Sequence, residues 1–190
     1  MKLSLSASIL VLAMIGAGAA SATEVLGVGT PSATQFREKA SSSDAFEITS
    51  SKIAMTHAVN PKVKDFAAQM VRDHEATTDK LVALGGIKKA SLVAKMQPGK
   101  DGKFAGNDLL SISQAAELNS LDSKSNADFD KTYIADQVKG HKDAVALLQD
   151  YAKNGDSAKL KAYATEILPT VKHHLVEAEK ISVELEHGAM

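Results

Sequence analysis

From Leu160 onward, apolar residues recur at alternating steps of four and three: Leu160, Ala164, Ile167, Val171, Ala178, Ile181 and Leu185. That spacing is the buried seam of an α-helix packed among other helices. The seam predicts a helix over 157–186, capped by Asp156 or Ser157, with Pro169 expected to bend it. One seam position is polar. His174 falls between Val171 and Ala178, and an imidazole facing a core needs a partner.

Three more long helices follow from the same patterning. The first spans about 33–58, and its apolar positions include Phe36, Ala40, Phe46, Ile53 and Ala54. The run Ser41-Ser42-Ser43-Asp44 weakens it, and a break with Asp44 as a new cap is the alternative. Asn60-Pro61 opens a second helix. It carries Val63, Phe66, Ala67, Met70, Val71, His74, Leu81 and Leu84 until Gly85-Gly86 stops it. A third runs over about 126–153 with the seam Ile134, Val138, His141, Val145 and Leu148, ended by Asn154-Gly155.

Between the second and third helices the pattern loosens. The turn chemistry of Gln97-Pro98-Gly99 precedes one short helix, which Asn107 or Asp108 would cap and which would run through Leu118. A connection of this length can cross the full height of a bundle, so the helices it joins can run parallel. Nothing reads as a strand. The expectation is an all-α fold: a four-helix bundle over 33–187 with a long crossover containing a short extra helix.

Composition narrows the function classes. Met1-Lys2, the apolar stretch 3–15 and Ala20-Ser21-Ala22 have the form of a Sec-type signal peptide cleaved after Ala22. Residues 23–32 would then be a flexible lead, and the location periplasmic or secreted. The stretch is too short for a span of about 20 residues, so no transmembrane segment is expected after signal removal. There is no Cys, which excludes thiolate metal sites, thiol catalysis and a lipoprotein anchor. Lys+Arg 22 against Asp+Glu 23, with no basic patch beside aromatics, speaks against nucleic acid. Neither a phosphate loop nor a Gly-x-Ser-x-Gly elbow is present, and no catalytic residues are assigned. A protein partner is not identifiable, and a homo-oligomer is allowed.

His74, His141 and His174 each occupy an apolar seam on a different helix. At ~1.5 Å per residue each lies about 20–27 Å along its helix, so all three share one layer near mid-height. Glu47 is at mid-height of the first helix. Three imidazoles and a carboxylate suit one divalent transition ion such as zinc, copper or iron. The candidate ligands are therefore Glu47, His74, His141 and His174, with Glu177, one turn beyond His174, as an outer partner. The competing expectation is a network of core histidines hydrogen-bonded to neighbours without metal, in a structural or stress-related envelope protein. His173 should face solvent.

The segment Val63-Lys64-Asp65-Phe66-Ala67-Ala68-Gln69-Met70-Val71-Arg72-Asp73-His74 resembles a signature of the bacterial exported domain-of-unknown-function family 4142. His141-Lys142-Asp143-Ala144-Val145 and Leu168-Pro169-Thr170-Val171-Lys172-His173-His174-Leu175 resemble it too, and Glu47 fits its first-helix signature. The resemblance implies a ferritin-like helical bundle, often labelled a membrane protein, of unassigned activity. Gly140 departs from the family's usual Asp. Val71 and Val171 stand where ferritin-like Glu-x-x-His motifs would place Glu, so a di-iron centre is not expected.

Overall fold

Ser32 starts the first helix with a reciprocal capping box. Its hydroxyl accepts from Gln35 N while the Gln35 side chain accepts from Ser32 N, satisfying two of the helix's unpaired amides. A computed structural model describes residues 29–86 and 88–188. It contains α1 (Ala33–His57), α2 (Pro61–Ala83), α3 (Lys89–Lys95), α4 (Ile112–Asp122), α5 (Asn126–Asn154) and α6 (Ala158–His187). Among the described residues there is no strand. The signal-peptide expectation, and most of the flexible lead, lie outside the described residues.

Asn60 caps α2 as expected, accepting from Lys62 N at 2.9 Å. After α2, Gly85 and Gly86 adopt φ of 84° and 91°, a left-handed conformation natural to glycine. α1 is unbroken through Ser41–Asp44, because that polar run faces inward: Ser41 and Asp44 are both buried and Asp44 finds partners on α2. α6 also continues through Pro169.

Two corrections concern the crossover. It holds two short helices rather than one, and Ser111 caps the second of them through a capping box with Gln114. Asn107 does not cap it; its side-chain oxygen accepts instead from Leu109 N and Leu110 N, a local turn that competes with helix formation.

The four long helices pack side by side, and side-chain contacts fix their directions. Asp130, early in α5, accepts from Val59 N at 3.1 Å and Asn60 N at 2.8 Å. The α1–α2 turn and the start of α5 therefore share one end. Lys62 pairs with Glu184 there, adding the end of α6. At the other end Ala33 N donates to Asp156 in the α5–α6 turn. Thus α2 and α5 run parallel, and α1 and α6 run opposite to them. The crossover lies on the outer side of α1, where Ala45, Phe46 and Ile48 pack with Leu92, Met96, Leu110 and Leu118.

Asp130 is only 2% exposed and satisfies two amides that no helix can. Asp130→Ala should lower stability by about 2–3 kcal/mol, since each buried donor left unpaired costs about 1–3 kcal/mol. A urea midpoint within experimental error of wild type would contradict this.

The inner core is divided along its length. Phe66, Met70, Phe129, Tyr133 and Ile181 belong to one apolar cluster. Phe36, Leu81, Tyr151, Leu160, Tyr163 and Val171 belong to the other. Between them lies a polar layer.

Candidate metal centre

Each long helix contributes to that layer. α1 supplies Asp44 and Glu47, α2 supplies Asp73, His74, Thr77 and Thr78, α5 supplies Gln137 and His141, and α6 supplies His174. The three imidazoles are 1–3% exposed. Their ring centres lie 5.5–5.6 Å apart.

One nitrogen of each ring is held by an acceptor. His74 Nδ1 lies 2.8 Å from Asp44 Oδ1. His141 Nδ1 lies 2.9 Å from the carbonyl oxygen of Gln137. His174 Nε2 lies 2.8 Å from Asp73 Oδ2. Carboxylates and carbonyls only accept, so each of these nitrogens carries the proton. The remaining nitrogens, His74 Nε2, His141 Nε2 and His174 Nδ1, are buried and have no hydrogen-bond partner. A neutral ring thus turns a bare lone pair away from its anchor. The rings do not hydrogen-bond to one another.

One ligand nitrogen from each histidine lies within 4.8 Å of the other two. Three points that close always leave a position within about 2.8 Å of all of them, and zinc–imidazole bonds are about 2.0–2.1 Å. Shifts of less than 1 Å per ring would close the set around one ion. The proton-bearing nitrogens bound to carboxylate or carbonyl are the outer hydrogen bonds that fix a metal-binding imidazole's tautomer and raise its basicity.

The charge around the rings is uneven. Burial pushes His74 down, but the Asp44 hydrogen bond, then the charges of Asp44, Glu47 and Asp73, raise it above its ordinary 6.5. Burial lowers His141, opposed by Glu47 and reinforced by His74. Burial lowers His174 to about 4, against the hydrogen bond that its Nε2 donates to Asp73. One proton would therefore reside on His74 first, and a second would be resisted.

Glu47 reaches the layer from behind His141. Its Oε1 is 3.9 Å from His141 Nδ1, the nitrogen already donating to Gln137, whereas the converging set is His74, His141 and His174. Glu177 approaches His173, at 3.8 Å, and His173 is largely exposed. The sequence named Asp44 only as an alternative helix cap and did not single out Asp73, Thr77 or Thr78. Asp44 Oδ2 accepts both threonine hydroxyls at 3.0 Å, so this carboxylate joins α1 to α2 through three donors. A signal was present: Ser41, Asp44, Glu47 and Ser51 recur at helical spacing, a polar stripe on one face of α1.

The family described as "Domain of unknown function (DUF4142)" matches residues 18–181. The chain belongs to the DUF4142 family. No curated protein and no solved structure matches it. Membership therefore brings no activity with it, and the DUF4142 histidine layer has to be interpreted from its own geometry. Among the described residues no helix is long and apolar enough to cross a membrane.

Proposed function

We propose that this chain is an exported protein that binds one divalent transition metal ion through His74, His141 and His174. Two observations carry this reading together: each buried ring has one nitrogen anchored by an acceptor and the other bare, and the three rings offer ligand nitrogens within 4.8 Å of one another. Three acceptors without a donor are unfavourable in a low-dielectric core. A cation that accepts imidazole removes that penalty. Neutral imidazoles without thiolate suit zinc, copper or iron. In this reading Glu47 balances charge behind His141, and the four long helices with their crossover form a ferritin-like bundle. The parallel course of α2 and α5 supports that connectivity. The signal-like 1–22 segment supports export to the periplasm or beyond.

The rival is a metal-free layer holding one proton, favoured by the raised pKa of His74. Untagged protein, stripped with chelator and titrated with zinc or copper, separates the two. One equivalent should bind per chain. At a hundredfold excess over Kd the gain is about 2.7 kcal/mol, a rise in Tm of roughly 5–10 °C for a domain of this size. The His74→Ala/His174→Ala variant should show neither effect. Less than a tenth of an equivalent, with no shift in Tm, would leave the proton-holding layer as the explanation.

A further inference from the structure

Glu166, His173, Glu177 and Glu184 recur along α6 at steps of seven, four and seven, which keeps their side chains on one face of the helix. The outer two show where that face looks. Glu166 pairs with Lys80 at 2.6 Å and Glu184 with Lys62 at 2.7 Å, so it is turned towards α2. The α2–α6 seam is thus stitched by a lysine–glutamate pair towards each end. At mid-height the chemistry changes. There α6 offers His173 and Glu177, whose Nε2 and Oε2 lie 3.8 Å apart, and α2 offers Asp73, bound to His174 Nε2. Among the described residues neither Asp73 nor Glu177 pairs with a Lys or Arg.

Asp73 is also where the layer meets water. Its side chain is 35% exposed, whereas Asp44, Glu47, Thr77, Thr78, Gln137 and the three histidines are all buried. Outside it His173 is largely exposed, and Glu177 keeps a buried Oε2 that has no hydrogen-bond partner. A carboxylate oxygen left bare in this way favours a cation that reaches it. The opposite side of the layer is closed. Buried Glu47 fills the space beside Gly140, where a Cβ would stand 2.8 Å from its Oε1. Beyond Glu47, where α1, α4 and α5 meet, burial first, then Glu117 and Glu47, push the Asp136 carboxyl up to about 6.

Granting the metal-binding reading, we propose that the unstitched middle of the α2–α6 seam is the doorway of the histidine layer: a divalent ion enters and leaves there, met first by Glu177 and His173 and passed inward at Asp73. Two side chains are too few to keep an ion that structural sites hold with four ligands, so it is handed on. Where the cation takes the place of the His174 N–H on Asp73, the imidazole is released to turn and follow the ion towards His74 and His141. Negative charge lining such an opening raises the rate at which cations arrive.

Stopped-flow uptake of zinc by the chelator-stripped, untagged protein, and release of zinc to excess chelator, test the doorway beside the equilibrium Kd. The His173→Gln/Glu177→Gln variant should slow uptake and release together by about tenfold, with Kd within about threefold of wild type. A merely structural role in the site would move Kd instead. Glu177→Lys, which can pair with Asp73 and complete the stitching, should slow both rates further, by more than about thirtyfold. Glu117→Gln, on the closed side, should leave both rates unchanged. Wild-type rates in the two seam variants, or slowing in Glu117→Gln alone, would overturn the doorway while one equivalent of zinc still binds. Less than a tenth of an equivalent bound by wild type would instead overturn the metal reading, and the doorway with it.

Discussion

Replacing Asp44 by alanine will lower the unfolding free energy by roughly 4 kcal/mol and weaken metal binding 10–100-fold. Asp44 is 7% exposed and accepts from His74 Nδ1, Thr77 Oγ1 and Thr78 Oγ1. Alanine leaves His74 Nδ1 and Thr78 Oγ1 buried without an acceptor, at about 1–3 kcal/mol each, while Thr77 Oγ1 keeps the His74 carbonyl at 3.0 Å; it also frees the His74 ring to choose its other tautomer. The His74 proton could then move to Nε2, where it would occupy the direction a metal needs. Asp44→Asn separates the two roles. It keeps an acceptor oxygen, so stability should largely recover, while the lost charge leaves metal affinity reduced. Denaturant unfolding of the metal-free protein reads the first effect and competition with a chromophoric chelator reads the second. Equal affinity in wild type and Asp44→Ala would show that the carboxylate does not orient the ring.

The second large effect is the shape of stability against pH in the metal-free protein. His174 is held near 4 in the folded chain against an ordinary 6.5. Its neutral form therefore contributes stability that is fully present above 6.5 and is lost as pH falls towards 4. The difference is roughly 3 kcal/mol at 1.36 kcal/mol per unit. His141 acts in the same direction. His74 is raised, so its contribution is fully present below 6.5 and is lost as pH rises through its folded pKa. Asp136 opposes His174 in acid. Its raised pKa gives stability that is present below the ordinary 3.8 and lost as pH rises through about 6. Asp136→Asn should therefore steepen the acid loss, and His174→Gln should flatten it. Thermal unfolding from pH 4 to pH 8 in chelator measures both. Parallel curves for wild type and His174→Gln would remove His174 from the account. With zinc bound, protons and metal compete for the same lone pairs, so the metal's stabilisation should shrink steadily on acidification.

The helices and the histidine layer were legible in the sequence because both rest on periodicity. A seam at 3.6 residues per turn fixes a face, and equal depth along helices of similar length fixes a layer. Asn60-Pro61 and Gly85-Gly86 marked the limits of α2 by backbone chemistry alone. The inner face of α1 was harder. Besides apolar residues such as Phe36 and Ala54 it buries Ser41, Asp44, Glu47 and Ser51, which hydropathy places outside, and only a partner on another helix makes burial of Asp44 acceptable. The helices of the crossover were obscured for a different reason. α3 buries little besides Leu92, so it leaves almost no periodic signal, and Asn107 looks like a helix cap until its own turn is seen to claim it. The anchors Asp73 and Gln137 were illegible because one acts across to α6 and the other through a backbone carbonyl.

The polar layer also divides the chain's cohesion. Neither inner apolar cluster spans the height of the four helices, so across the bundle interior the two ends are coupled through imidazoles, carboxylates and hydroxyls, and hydrocarbon runs past the layer on the outer side of α1, against the crossover. A domain joined in this way can lose order at one end while the other persists, with the layer as the boundary between the two cooperative units. An ion held by α2, α5 and α6 at that boundary would act as a rivet, and its removal would matter more for how the two ends unfold together than for the fold of either.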